Sequence, residues 1–159
     1  MPGNMTDRNT GGANLVNKLT QAIFCSTTTF TITPGTSGGS AFTITPPFLL
    51  ALLTANGSNT ANGTEATTGN CPGYTTLAGG SAKTVTFATP SGGVFASSNS
   101  QSYTATGSWT TITGCEIWDS AATKLRYLQG ALTANITGVV NGDTVQFATA
   151  AISADASQW

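Results

Sequence analysis

Along most of this chain, apolar residues alternate with threonine and serine at a period of two. Phe30 and Ile32 are separated in this way, as are Phe42 and Ile44, and Val85 and Phe87. That period belongs to strands with one face buried. Further strands are expected at Phe95, at Tyr103 with Ala105, over residues 112–118, 125–128, 132–136 and 144–147, and at Ile152. Residues 48–53 are apolar throughout, as in a strand buried on both faces, with a helical turn as the competing reading. Turn signals fall at residues 90–93, at Gly107-Ser108, at 119–123 and at Asn141-Gly142. The last has the form of a two-residue hairpin. Thr33-Pro34-Gly35 and Ser37-Gly38-Gly39 make a turn-rich link, and Pro46-Pro47 a rigid entry to the apolar run. Short strands at regular spacing, with no internal repeat, predict an all-β fold: an antiparallel β-sandwich of jelly-roll or Ig-like type.

The N-terminal end reads differently. Residues 14–24 place Leu15, Leu19 and Ala22 or Ile23 at helical spacing, with Asn14 as a candidate N-cap. About three turns of helix need something to pack on. Residues 1–13 are polar and aperiodic, which predicts a flexible attachment arm. The remaining residues, 14–159, are one domain's worth of chain with the short helix included. Residues 54–73 form the longest stretch without a pattern; loops of that length are usually functional or disordered.

Charged residues make up only 7% of the chain, with a net charge of −1, against about 25% in an average soluble domain. No apolar run approaches the roughly 18 residues of a membrane span. Lys124 and Arg126 are the closest approach to a basic cluster, too little for a nucleic-acid footprint or an anionic membrane surface. Asp7 and Arg8, followed by Asn14, Asn17 and Lys18, do not read as a signal peptide, so synthesis in a cytoplasm is expected. The sequons at Asn4, Asn56, Asn62 and Asn135 then reflect an Asn- and Thr-rich composition.

The chain has no histidine, which removes the usual general base and the commonest metal ligand. Cys25, Cys71 and Cys115 are far apart, without the spacing of a zinc site, and read as buried structural thiols. No cofactor is expected. Glu116 and Asp119 are the one close carboxylate pair, but on an extended strand they lie about 10 Å apart on opposite faces, unsuited to glycoside hydrolysis. Asp119 is expected to start a turn, and Asp143 to do the same after Asn141-Gly142. Single replacements of Glu116, Asp119 or Asp143 are then expected to cost about 0–2 kcal/mol each. Trp109, Trp118, Tyr74 and Tyr127 could stack on sugar rings or fill the core. Trp159 ends the chain as a frayed end or an anchor for a neighbour.

Several phrases recur together in a known family: Trp109, the stretch Gly114 to Asp119, Gly130-Ala131-Leu132-Thr133 and Gly142-Asp143-Thr144. Upstream, the amphipathic start, the apolar strand ending in Leu53-Thr54, Gly73-Tyr74, the Lys83 to Phe87 strand and the Ser91-Gly92-Gly93 turn fit as well. In these features, over roughly residues 14–152, the chain resembles small tailed-phage virion proteins labelled minor capsid, decoration or tail-fibre proteins. It departs from them in having Thr75-Thr76-Leu77 where a basic residue is expected soon after the Tyr.

The resemblance implies a non-enzymatic virion protein, and the absence of a shaft repeat favours a capsid decoration protein outside the icosahedral head. A tail-tip or tail-fibre module and a carbohydrate-binding module are the alternatives. The partners expected are the major capsid protein and copies of the chain itself, as a trimer. Asp7, Arg8, Leu15, Leu19, Tyr127 and Trp159 are the candidate interface residues.

Overall fold

The computed structural model describes residues 21–32 and 41–155. The arm at 1–13, most of the predicted helix and the 33–40 link therefore lie outside the described residues. Residues 21–24 form the described part of that helix, closed by the Cys25 amide donating to the Gln21 carbonyl at 3.0 Å.

Among the described residues eleven strands follow: β1 (Phe30–Ile32), β2 (Phe42–Ile44), β3 (Phe48–Ala55), β4 (Thr64–Glu65), β5 (Lys83–Val85), β6 (Val94–Ala96), β7 (Gln101–Thr104), β8 (Ile112–Trp118), β9 (Arg126–Ile136), β10 (Thr144–Phe147) and β11 (Ser153–Asp155). All pairings are antiparallel. The largest sheet runs β4-β3-β8-β9, with β5 also on β3. The ladders β7–β10 and β6–β11 lie across the core from it: Tyr103, Val145, Phe95 and Ile152 share one buried cluster with Leu50, Leu52 and Ile117. The all-β, antiparallel expectation holds, with the second layer built of two separate ladders.

Strand β3 is central because its sequence allows nothing else. Leu50, Ala51, Leu52 and Leu53 are all buried, so neither face meets water. A run apolar on both faces is stable only with cover on both sides. The core on one face is aromatic at both ends. Phe24 stacks on Phe95 at 4.5 Å between centroids and lies 5.3 Å from Phe48, while Tyr74, Tyr103 and Trp109 gather at the other end, 5.4–6.5 Å apart.

Three expectations need correction. Residues 125–128 and 132–136 are not separate strands, because β9 runs on through Gly130. Asn141-Gly142 makes a turn, with the Asp143 amide donating to the Val140 carbonyl at 3.1 Å, but no hairpin: β10 pairs with β7, so the chain crosses to the other layer there. The two-residue hairpin lies instead at Gly92-Gly93, where Ser91 and Val94 exchange both backbone bonds and both glycines have positive φ. That is the conformation glycine reaches without a steric penalty. Residues 54–73 are also far from structureless. They contain β4 and a tight turn between Ser58 and Ala61, and they bury Ala66 and Cys71 completely.

One buried tyrosine ties this segment to the sheet. The Tyr74 hydroxyl accepts from the Leu52 amide at 3.1 Å and donates to Glu65 Oε1 at 2.9 Å. The Leu77 amide meets the same oxygen at 2.7 Å. Thus where a basic residue was expected after the Tyr, a main-chain N–H contacts Glu65. Replacing Tyr74 with Phe should lower the unfolding free energy by about 1–3 kcal/mol, by stripping a buried amide and a carboxylate of their partner. Tyr103→Phe should cost less, since the Tyr103 hydroxyl has no protein hydrogen-bond partner. Urea unfolding of the two variants checks the order.

Candidate functional site

The alternation along β8 puts Ile117 into the core and turns Glu116 to the opposite face, in register with Ala51 on β3 and Gln129 on β9. The loop between β3 and β4 folds over that face. Glu116 is only 2% exposed, an expensive place for a carboxylate without partners. It has three: Oε1 accepts from the Gly63 amide at 2.8 Å and from Arg126 Nη1 at 2.9 Å, and Oε2 from Trp118 Nε1 at 3.1 Å. Arg126, 14% exposed, extends the network to the Ala61 and Ser58 carbonyls, each at 2.7 Å, and to Gln129 Oε1 at 3.0 Å. The whole assembly clamps residues 58–63 onto the sheet.

Asp119 is fully buried and works at the end of β8. It accepts from the Leu125 amide at 2.9 Å, the Ala121 amide at 3.4 Å and the Tyr127 hydroxyl at 3.4 Å. Its expected role at the start of a turn is what the structure shows. Asp143 likewise accepts from the Val140 amide at 2.9 Å. Glu116 differs from both in being an ion-paired strand residue. The partners of Glu116 and Asp119 do not overlap, so the two carboxylates share no site.

The cysteines and Tyr127 are held in their neutral forms. Burial pushes the Cys115 thiol up to about 11, the Glu116 charge adding to the effect. Burial also raises Cys25, and Cys71 in spite of a backbone bond from Thr110. Tyr127 is pushed up to about 12 by burial, then by the Asp119 charge and hydrogen bond. Such groups are poor nucleophiles and bases at neutral pH. Among the described residues no three Cys, Asp or Glu side chains gather where they could hold a metal ion.

Of the candidate interface residues, Asp7, Arg8, Leu15, Leu19 and Trp159 lie outside the described residues. Tyr127 is half-buried, edge-on to Phe48 at 5.4 Å and to Phe24 at 6.2 Å. Tyr74 and Trp109 are buried, the Trp109 indole donating to the Pro72 carbonyl at 2.8 Å. Trp118 is turned to Glu116, away from Tyr127 and the core. The flat aromatic strip that a sugar-binding face would need is not formed by these four residues.

Sequence reasoning missed Glu65 and Arg126 as partners and the loop clamp as a unit. The available signal was a single carboxylate inside an otherwise apolar strand, which has to find a cation or several donors. Lys124 and Arg126 do not act as a basic pair, since the guanidinium is spent on Glu116 and the loop carbonyls. Replacing Glu116 with Gln should cost about 3 kcal/mol, the lower end of the range for breaking a buried ion pair because Arg126 keeps some access to water. Asp143→Asn, at an exposed turn, should cost under about 1 kcal/mol. Thermal or urea unfolding of both variants measures the difference.

Comparison with known proteins adds one match. The family described as Podophage GP4 fiber I protein gp80 covers residues 25–155 of this chain. No curated protein and no solved structure matches it. With most of its length matched, the chain belongs to that phage fibre family and is a virion component. This corrects the capsid-decoration expectation in favour of the fibre alternative. The missing shaft repeat was a poor guide, because a repeat marks a shaft alone and a globular β module of a fibre has none.

Proposed function

We propose that this chain is a non-enzymatic module of a phage tail fibre that acts by presenting and joining surfaces. The family match over residues 25–155 carries the reading. The side-chain chemistry agrees with it: Glu65, Glu116, Asp119 and Asp143 are all engaged in internal hydrogen bonds, and the cysteines are held as thiols. What remains for the surface is largely hydroxyl, amide and apolar. Such a surface meets copies of itself without like-charge repulsion, and the trimer expected from the sequence is part of this reading. Repeated copies on one fibre turn modest contacts into firm attachment.

A fibre rooted on the head would touch the major capsid protein, whereas one rooted on the tail would not. Gold-labelled antibody against the purified domain, viewed on intact particles, distinguishes these placements. Label on fibres at the tail is the expected result. Label spread evenly over the head shell would overturn the tail-fibre reading.

A further inference from the structure

Asparagine followed by glycine can lose its side-chain amide without an enzyme. The next backbone nitrogen reaches the side-chain carbonyl carbon when no Cβ stands in the way. This chain carries the pair three times, at Asn56-Gly57, Asn62-Gly63 and Asn141-Gly142. All three asparagines are exposed to water. The sequence makes the three pairs equivalent, and the fold does not.

The attacking nitrogen has to give up its proton, and at two of the pairs that proton is held. The Gly63 amide donates to Glu116 Oε1 at 2.8 Å, so its loss would set a negative nitrogen against a buried carboxylate. The Gly142 amide donates to the Ala105 carbonyl at 2.8 Å. The Gly57 amide has no hydrogen-bond partner among the described residues. The carbon under attack differs in the same direction. Asn56 Oδ1 occupies the space that a side chain at Gly114 would need, and it accepts from the Thr113 hydroxyl at 3.3 Å. That hydroxyl has a second acceptor in the Leu53 carbonyl at 3.4 Å. A donor on Oδ1 stabilises the negative charge this oxygen gains when its carbon is attacked.

We propose that Asn56 is a self-modifying site that deamidates ahead of Asn62 and Asn141, with Thr113 as its positioning residue. The Gly57 nitrogen attacks Asn56 Cγ and forms the new N–Cγ bond. The Cγ–Nδ2 bond breaks, and Nδ2 leaves as ammonia with the Gly57 proton. Water then opens the cyclic imide at either carbonyl, leaving aspartate or isoaspartate at position 56. Water taken up and ammonia released balance the step, and nothing is oxidised or reduced. Packing keeps the reactive pair in place, because a Cβ at Gly57 would meet the Ala61 carbonyl and the Gly63 amide. Each conversion adds a negative charge at the root of the 58–63 loop, in a chain whose net charge is only −1.

The test incubates the full chain in mildly alkaline buffer and follows each asparagine by peptide mapping and mass spectrometry. In the folded protein Asn56 should convert roughly tenfold faster than Asn62 or Asn141, the rate factor of one hydrogen bond withheld from the nucleophile. In concentrated urea all of them should convert at similar rates, since the reacting pair is the same. Thr113→Val should slow Asn56 severalfold and leave Asn141 unchanged, while Thr113→Ser keeps the rate. Circular dichroism shows that both variants are folded. An Asn56 no faster than Asn62 or Asn141 in the folded chain would overturn the proposal. An unchanged Asn56 rate in folded Thr113→Val would overturn the role of Thr113.

Discussion

The need to cover both faces of β3 organises this molecule. A strand with buried leucines pointing both ways cannot be solvated on either side, so the chain supplies two covers. One is the aromatic core and the layer of β6, β7, β10 and β11. The other is the short loop between β3 and β4, which has little apolar surface of its own. A loop of Asn, Gly, Ser and Thr with a single Ala does not stay on a sheet by hydrophobic burial. It is held by ionic and hydrogen-bonded contacts to Glu116 and Arg126, which replace the missing apolar contact.

The same pattern recurs at three other loops. Glu65 with Tyr74 fastens the segment after β4, Asp119 fastens the turn after β8, and Asp143 the turn before β10. With so few charges in the chain, their use inside the fold leaves a surface low in fixed charge.

Much of the fold was legible because strand periodicity survives in short segments. Phe42 and Ile44, the apolar 48–53 run and the stretch from Ile112 to Trp118 all form the expected strands. Asp119 was legible as a turn residue because that role depends on its own backbone neighbours. What was not legible depended on partners distant in sequence. Glu116 finds Gly63 and Arg126 only through the pairing of β3, β8 and β9. Asn141-Gly142 carries a true turn signal, but which strand follows it is decided by packing across the layers. Residues 54–73 looked empty because hydrogen bonds to the sheet, with no apolar period, give them their shape. In assigning the virion role, the absence of a shaft repeat carried more weight than it could bear, and the fibre family match reverses that choice.

Native-state hydrogen exchange tests most directly whether buried carboxylates hold this fold together. The Leu52 amide lies on Tyr74 and the Gly63 amide on Glu116, so both sit within the clamped region. The account predicts that both exchange only through global unfolding, with the same dependence on denaturant, and that Glu116→Gln releases Gly63 into faster local exchange. A Gly63 amide that already exchanges by local opening in the unaltered protein, while Leu52 stays protected, would contradict it.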